Sequence, residues 1–367
     1  METYDTGSMP FVGDFEQYLK AASAYAKATS FSAVTEDLRG YFDGKVEEGF
    51  LAKRRAGIDI PNYPQFRDMS EMFLEVLTGI SKTAKGYAQT DSIRAKTGLS
   101  EISEVATLRR NAKKIAKIND SPVRLKVSII GPYTLASMLS EKYAETFTNL
   151  ADVLSTIVDA NIFVEKYGEV KLLFIEEPLF GLVDDPLLDF GQKGRESILH
   201  AWEHILSAAK SKGVQTGIHL HSTNDGLFWD VKGLDIVESH VVDPFYESVE
   251  TRKNLQKTDK FAKASIAVTD FDHLIRNQIA EEGKNMRESA VNDRVGDFWN
   301  GILENSIDPL RFLEEINLMK KRLEMIIRIL GSERVPYAGP ECGLKGFPNI
   351  VSATELLRRV AEAAHSI

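Results

Sequence analysis

Short apolar runs alternate with long amphipathic segments along almost the whole chain. The runs are bounded by glycine, proline or asparagine, and the segments between them have a helical period. This alternation is typical of a parallel sheet covered by helices, because parallel strands need a long crossover between them. The predicted strands are Thr3–Met9, Ile58–Asn62, Leu125–Gly131, Lys171–Glu176, Gln215–His221, Ile236–Val241, Ser265–Asp270 and Val335–Gly339. The predicted helices are Phe15–Ala26, Met69–Thr83, Leu150–Tyr167, Glu196–Ser211, Leu310–Leu330 and Ala353–His365. Strands of this number and order predict an α/β fold, a (β/α)8 TIM barrel that forms a single domain over residues 1–367.

Two connections are longer than a barrel requires. The region Ala84–Pro122 holds a strongly basic helix near Glu101–Ile118, which is either a solvated helix face or a docking surface for an acidic protein or cofactor. The region His273–Pro309 is polar and rich in charges of both signs. Because long connections in compact domains are often functional, residues 273–309 are predicted to form a lid insertion over the barrel mouth.

Charge and hydropathy exclude several classes of protein. The net charge is −9, and lysine and arginine are spread among acidic residues, so no nucleic-acid partner is expected. The sequence contains no apolar stretch long enough for a membrane span, and its beginning lacks a basic region followed by an apolar one. We therefore expect a cytoplasmic protein with no membrane partner.

Polar side chains that can bind metals stand at the ends of three predicted strands. His219 and His221 are two residues apart, as are Glu238 and His240, so each pair points to one side of its strand. A single histidine in an apolar strand is usually a core residue, whereas two at a strand end leave a core role and a functional site as equal alternatives. Cys342, the only cysteine, follows the last strand between glycines and is either an inert core residue or a chemically active one.

Histidine, glutamate and cysteine together form a ligand set that favours zinc. Zinc tolerates mixed nitrogen, oxygen and sulfur ligands in a tetrahedral arrangement. A buried Glu238 also needs a positive partner, which a metal would supply. A zinc site with a displaceable ligand can bind a small thiol and lower its pKa, so that a thiolate able to attack a methyl group forms at neutral pH.

Six segments, in chain order, match motifs of one known family. They are Thr6–Pro10, Gly131–Leu135, Phe174–Pro178, His219–Ser222, Glu238–Ser239 and Gly339–Lys345. The corresponding family motifs are IGSFP, GPVT, IDEP, HMCY, DVI.IE and NPDCGLKT. The chain therefore resembles the zinc-bearing catalytic barrel of the cobalamin-independent methionine synthases, over nearly its whole length.

The resemblance implies a zinc-dependent methyltransferase that transfers a methyl group to the thiol of homocysteine and gives methionine. The chain is similar to the short archaeal and bacterial homologues that consist of a stand-alone catalytic barrel, and the donor would be a methylcorrinoid protein or a methyl-folate. His219, Glu238 and Cys342 match family metal ligands directly. His221 stands where the family usually has a second cysteine, and either His221 or His240 would complete the ligand set.

The resemblance also assigns a binding site for the amino-acid end of the substrate. Gly7 and Ser8 correspond to the family's IGS residues, and Glu176 corresponds to the aspartate of IDEP. The family's acidic HGExERNDM segment aligns here with residues 61–69, so that Tyr63 or Gln65 replaces a carboxylate that would bind an α-ammonium group.

A general acid or base is expected near the family's DxHS histidine. In the segment Asp270-Phe271-Asp272-His273, Asp272 aligns with that histidine and His273 follows it. Either residue is a candidate for the role, and the alternative is a solvated loop residue.

Three other functions fit the same residues. Tyr63 and Gln65 leave open a methyltransferase that acts on another small thiol, for example coenzyme M. The histidine at position 221 leaves open a non-catalytic barrel that has lost full metal binding. A metal-dependent hydrolase is a further alternative, although such barrels usually carry histidine ligands on strand one, where this chain has none.

Overall fold

A curled sheet of parallel strands with helices packed against it organises the computed structural model, which describes residues 1–27, 35–84, 86–282 and 286–367. The strands are β1 (Glu2–Thr3), β2 (Leu77–Thr83), β3 (Gly86–Ala95), β4 (Val123–Ile130), β5 (Val164–Glu165), β6 (Gly168–Glu177), β7 (Gln215–Leu220), β8 (Ile236–Glu238), β9 (Phe261–Ala267) and β10 (Tyr337–Pro340). The helices are α1 (Phe15–Lys27), α2 (Glu36–Arg55), α3 (Met69–Leu74), α4 (Ser103–Asn119), α5 (Pro132–Ala136), α6 (Ala144–Asn161), α7 (Lys193–Lys210), α8 (Val249–Thr258), α9 (Phe271–Glu281), α10 (Glu288–Leu303), α11 (Ile316–Leu330) and α12 (Ile350–His365).

The main sheet is parallel along its whole path. Its strands follow the order β1-β10-β9-β8-β7-β6-β4, and every neighbouring pair on this path is parallel. The short β5 lies beside the start of β6 in antiparallel orientation, and β2 and β3 form a separate hairpin. The α/β class and the parallel sheet that the alternating sequence predicts are therefore confirmed.

The predicted second strand, Ile58–Asn62, is reduced to isolated contacts. Two parallel bridges connect it to the two edges of the sheet, Ile60 with Tyr4 and Asn62 with Lys126. Pro61 has no N–H to donate, and the N–H of Asn62 binds the side chain of Asp5 at 2.8 Å instead of a neighbouring strand. The apolar pattern of this segment was a correct sign of its place between the edges, but a regular ladder does not form.

The predicted helix Met69–Thr83 is wrong beyond its first turns. Helix α3 ends at Leu74, and the chain then forms the β2–β3 hairpin. Threonine and isoleucine in β2 favour a strand, and Gly79 adopts a φ of +78°, which a helix does not accept.

The predicted lid region is largely helical. Residues 273–309 contain most of α9 and all of α10, and three of them, 283–285, lie outside the described residues. The prediction of a lid over the barrel mouth is a statement about motion, and it stays a prediction.

The predicted basic helix is present as α4, and several of its cations lie against acidic side chains of other elements. The pairs are Arg109 with Glu165, Arg110 with Asp43, and Lys114 with Glu47. This pairing favours a solvated structural face over a docking surface for an acidic partner.

The inner side of the curled sheet combines a small apolar cluster with buried charges. The cluster contains Tyr4, Ile60, Leu172, Phe174 and Ile236. Strands β4, β6, β8 and β9 of the same sheet carry the buried charged side chains of Lys126, Glu176, Glu238 and Lys263, respectively. Among the described residues, no helix has the length and apolar character needed to cross a membrane.

Candidate active site

Three neighbouring strands place acidic and imidazole side chains side by side. In the register of the sheet, Glu176 on β6 lies opposite His219 on β7, which lies opposite Glu238 on β8. Residues opposite each other in parallel strands point to the same side, and His221 follows His219 at the two-residue spacing that preserves this direction. The strand register therefore forms one polar row at the carboxyl end of the sheet.

Four side chains converge at this end of the sheet, namely His219, His221, His240 and Cys342. One potential ligand atom from each lies within 4.8 Å of those from the other three. The Sγ atom of Cys342 is 3.6 Å from Nε2 of His221, and the ring centroids of His221 and His240 are 4.1 Å apart. Tetrahedral zinc bonds of about 2.0–2.3 Å place ligand atoms about 3.3–3.8 Å from each other, so a small contraction would complete such a site.

The loop that carries Cys342 is held by its neighbours on both sides. The carboxylate of Glu341, which is buried, accepts hydrogen bonds from the backbone N–H groups of Val241 at 2.8 Å and Thr269 at 3.0 Å. Gly343 packs so closely against Ser8 that a Cβ at position 343 would lie 2.0 Å from the Ser8 Oγ. Glycine at this position therefore lets the Cys342 loop approach the chain after β1.

Glu238 lies beside the four-residue cluster, where two buried lysines neutralise it. One carboxylate oxygen is 3.1 Å from Nζ of Lys263, and the other is 3.7 Å from Nζ of Lys126 and 3.0 Å from Nδ1 of His219. The positive partner that a buried Glu238 requires is thus supplied by lysines of β4 and β9. The predicted role of Glu238 as a direct metal ligand stays a prediction.

The charges around the cluster favour an ionised thiol. Burial alone would raise the pKa of Cys342, but the imidazoles of His219, His221 and His240 hold it well below its ordinary value. Burial would likewise lower the pKa of His219, yet the negative charges of Glu176, Cys342 and Glu238 outweigh this and raise it to about 10. A metal cation that replaced the proton of His219 would therefore lie next to the Cys342 thiolate.

The residues present fit a zinc ion. The Nε2 atoms of His219 and His240 are buried and have no hydrogen-bond partner among the described residues. Buried polar atoms without partners are rare in native proteins and often mark the place of an ion. Three imidazoles and one thiolate are also ligands that zinc accepts in tetrahedral sites.

A cavity of about 250 Å³ opens beside the cluster and contains most of the predicted substrate-binding residues. His219, His221 and Cys342 line it on the side of the cluster, and Ser8, Gln65 and Glu176 line other parts of the wall. Several residues to which the motifs assigned no role also line it, among them Arg67, Asp68, Thr134 and Lys345.

Gly7 stands directly behind this wall and has a backbone conformation that only glycine adopts easily. Its φ is +134°, and a Cβ there would lie 2.6 Å from the Asn62 side chain and 2.7 Å from that of Gln65. Tyr63 donates a hydrogen bond to the backbone oxygen of Ser128 and accepts one from Gln65 at 2.9 Å. The two residues that replace the family carboxylate therefore form a neutral, hydrogen-bonded pair.

The predicted acid–base residues Asp272 and His273 lie in the first turn of α9, and both are exposed. The carboxylate of Asp272 accepts a 2.6 Å hydrogen bond from the indole N–H of Trp299 on α10, and neither residue lines the cavity. The structure does not bring them to the cluster, and their acid–base role stays a prediction.

Sequence reasoning missed the buried lysines and the anchoring carboxylate. Lys126 and Lys263 each stand inside an otherwise apolar strand, in Leu125–Ile130 and Phe261–Ala267, and a cation in such a run is a signal of an internal partner. Glu341, next to the cysteine, gave no comparable signal because exposed and buried acids look alike in a loop.

Comparison with known proteins gives a partial sequence match and a full-length structural match, among others. No family model matches the chain. A methionine synthase from Sulfurisphaera tokodaii is 26% identical over 169 residues, which cover 44% of this chain and 48% of that protein. The structure of a B12-independent methionine synthase from Shewanella sp. W3-18-1, determined in complex with selenomethionine, superposes with a TM-score of 0.60 at 13% identity. That superposition covers 99% of this chain and 97% of the other, and at this identity it shows a shared fold.

Sequence and structure agree on the same relatives. The partial match carries the name of a methionine synthase, and the full-length match carries the architecture of a B12-independent one. The chain thus resembles a methionine synthase in sequence over part of its length and a B12-independent methionine synthase in fold over nearly all of it, which confirms the family resemblance that the motifs predicted.

Proposed function

We propose that the protein is a cytoplasmic zinc-dependent methyltransferase that methylates the thiol of homocysteine to give methionine. The observation that carries this proposal is the convergence of three imidazoles and the only thiol of the chain beside a cavity that Glu176 also lines. The names of the relatives are consistent with the proposal. Closure of the sheet into an eight-stranded barrel through residues 58–62 is part of it, because a closed barrel would hold the loops of the site in fixed positions.

The chemistry follows from the ligand set. When bound, zinc supplies a Lewis acid that lowers the pKa of a substrate thiol, so that a thiolate exists at neutral pH. The sulfur then forms a bond to the methyl carbon while the bond from that carbon to the donor breaks, and the electron pair leaves with the donor. A nitrogen leaving group would need a proton, for which Asp272 and His273 are the predicted sources. Glu176 would bind the α-ammonium group of the acceptor, and Gly7, Ser8 and Gln65 would border its polar end.

For the metal ligands we propose His219, His221, His240 and Cys342. Glu238 faces Nδ1 of His219 from the side of Lys263, so it would orient this imidazole instead of binding the ion. In this set only the Cys342 thiolate is charged, so the ligands sum to −1 and the zinc site would have a net charge of +1. If Glu238 replaced His240, the site would be neutral and a weaker Lewis acid. The alternative is the set predicted from the sequence, with Glu238 in place of His240.

X-ray absorption at the zinc edge distinguishes the two ligand sets. With our set, the spectrum shows about three nitrogen ligands and one sulfur, and His240→Ala loses one nitrogen. Glu238→Gln keeps the same ligands, and its affinity for zinc is reduced about 10–100-fold. The opposite pattern, an oxygen ligand that disappears in Glu238→Gln while His240→Ala leaves the spectrum unchanged, would show that Glu238 binds the metal.

Methyl transfer to homocysteine tests the activity. Zinc-loaded protein is incubated with homocysteine and, separately, with methylcobalamin, a methylated corrinoid protein and methyltetrahydrofolate, and methionine is measured. We expect methionine with at least one donor, loss in His219→Ala, and no loss in His204→Ala, which changes an exposed histidine of α7. Failure with every donor, together with methylation of another thiol such as coenzyme M, would refute homocysteine as the acceptor.

Zinc content tests the second candidate, a non-catalytic barrel. We expect about one equivalent of zinc in protein purified without added metal, and its loss in His219→Ala. Less than about half an equivalent, unchanged in that variant, would favour the barrel that has lost metal binding.

A further inference from the structure

Arg67 lies in the wall of the cavity, and its guanidinium group is largely buried and held in a fixed direction. Its side chain is 10% exposed, and it forms a two-point ion pair with Glu104, with Nε to Oε1 at 2.9 Å and Nη2 to Oε2 at 2.7 Å. Tyr18 donates a further hydrogen bond to Glu104 at 3.0 Å. Because both oxygens of Glu104 are used in this way, the plane and direction of the guanidinium are fixed.

One end of this guanidinium has no partner. Nη1 of Arg67 makes no hydrogen bond among the described residues, although the side chain lies in the wall that also contains Cys342 and Glu176. A guanidinium offers five N–H donors, and those of Nη1 are available to an acceptor that enters the cavity. An anionic group of the ligand would provide that acceptor.

Glu176 offers the complementary charge on the same cavity. Its Oε1 accepts a 2.6 Å hydrogen bond from Ser128 and lies 3.6 Å from Nζ of Lys126, while Oε2 has no hydrogen-bond partner among the described residues. A free carboxylate oxygen and a free guanidinium nitrogen in one cavity of about 250 Å³ match a ligand that carries both an ammonium and a carboxylate group.

We infer that Arg67 determines specificity by binding the carboxylate of the thiol substrate, while Glu176 faces its ammonium group. The inference rests on the proposed function and assigns the residue that would select amino-acid thiols over other small thiols. Glu104 acts as a positioning residue, because it holds Arg67 in the direction that leaves Nη1 free.

Matched thiols allow the role of Arg67 to be measured by binding alone. The probes are homocysteine, 4-mercaptobutanoate, which lacks the ammonium group, and 3-aminopropane-1-thiol, which lacks the carboxylate. Dissociation constants are determined by calorimetry on the zinc-loaded full chain. The variant is Arg67→Gln with Glu104→Gln, which removes both buried charges together, and the matched control is Arg109→Gln with Glu165→Gln, an ion pair of similar length on the surface.

The double variant is expected to lose affinity only for the thiols that carry a carboxylate. Homocysteine and 4-mercaptobutanoate should bind about 10–100-fold more weakly to the double variant, the usual effect of losing a hydrogen bond to a charged group, whereas the affinity for 3-aminopropane-1-thiol stays within about twofold. The surface control should leave all three affinities unchanged. If the double variant does not fold, Arg67→Lys is measured in its place. This variant keeps the charge against Glu104 with a single donor nitrogen, and we expect a smaller loss of affinity for the same two thiols.

Equal weakening of all three thiols would overturn the assignment and make Arg67 a structural residue. This outcome differs from failure of the proposed function, in which the unmodified zinc-loaded protein itself would bind none of the three thiols and the inference would fall with it.

Discussion

At the scale of single residues, Cys342 is the most informative side chain. It is the only cysteine of the chain, and the imidazoles around it hold its pKa well below the ordinary range. A thiol that stays ionised at neutral pH is both a better metal ligand and a more reactive nucleophile than an ordinary one.

Alkylation of metal-depleted protein tests this ionisation. Because a depressed pKa keeps the thiolate present throughout, the rate of reaction of Cys342 with iodoacetamide should change less than about threefold between pH 6 and pH 8. An ordinary thiol with a pKa near 8.5 gains roughly 100-fold over the same interval, and urea-unfolded protein should show that gain. Added zinc should protect Cys342, and a rate in folded protein that rises like that of the unfolded control would contradict the assigned environment.

Some of these residues could be predicted from the sequence and others could not. His219, His221 and Cys342 were found because each stands at a strand end with a local pattern, and the structure places them together. The neutralisation of Glu238 by Lys126 and Lys263 depends on the register of β4, β8 and β9, which no local pattern contains. The unpaired donor of Arg67 likewise depends on Glu104, which is distant in the chain.

At the scale of elements, the loops after β8, β9 and β10 are tied together by one carboxylate. Glu341 accepts the N–H of Val241 from the loop that follows His240 and the N–H of Thr269 from the loop before α9. The position of Cys342 relative to His240 is therefore fixed by a neighbour that does not belong to the cluster.

Substitution of Glu341 should make the positions of Cys342 and His240 less well fixed, although all four side chains of the cluster remain. Glu341→Gln would present a donor to one of the two N–H groups, and we expect a loss of about 1.5–3 kcal/mol in the free energy of unfolding and about 10–100-fold weaker zinc binding. Urea unfolding and competition with a chelator measure the two effects. Glu355→Gln, which changes an acidic residue of α12 that pairs with neighbouring arginines of the same helix, is the control and should alter zinc affinity little. Equal zinc affinities in the two variants would argue against the loop tie.

The elements themselves were predicted with uneven success for a physical reason. Long amphipathic helices such as α7 and α11 follow from their apolar period, whereas residues 77–83 of the predicted helix Met69–Thr83 became strand β2, because β-branched residues and Gly79 outweighed a weak helical pattern. Segment 58–62 lost its ladder to Pro61 and to the Asp5 side chain, and side-chain competition of this kind is invisible to periodicity.

At the scale of the whole molecule, a buried lysine of α2 ties one edge of the sheet to segment 58–62. Nζ of Lys53 lies 2.6 Å from the carboxylate of Asp5 and also donates to the backbone oxygens of Gly7 at 2.8 Å and Asn62 at 3.1 Å. Its side chain is fully buried. One cation therefore binds the chain after β1 and segment 58–62 at once.

Removal of this cation should destabilise the whole fold. Lys53→Met leaves Asp5 as a buried charge without its partner, and we expect a loss of about 3–5 kcal/mol in the free energy of unfolding. Lys53→Met combined with Asp5→Asn should recover part of this loss. Lys20→Met, which breaks an exposed pair with Glu16, should cost less than about 0.5 kcal/mol. A small effect of Lys53→Met in chemical denaturation would show that the chain after β1 and segment 58–62 are held together mainly by other contacts.

The lysines beneath the cluster also bear on how the protein would be supplied with its ion. Since Lys126 and Lys263 already balance Glu238, this buried carboxylate does not need a metal before the chain can fold. We therefore expect the protein to fold before it binds its metal. In cells that lack zinc, folded but inactive protein should accumulate, and added zinc should activate it without new protein synthesis.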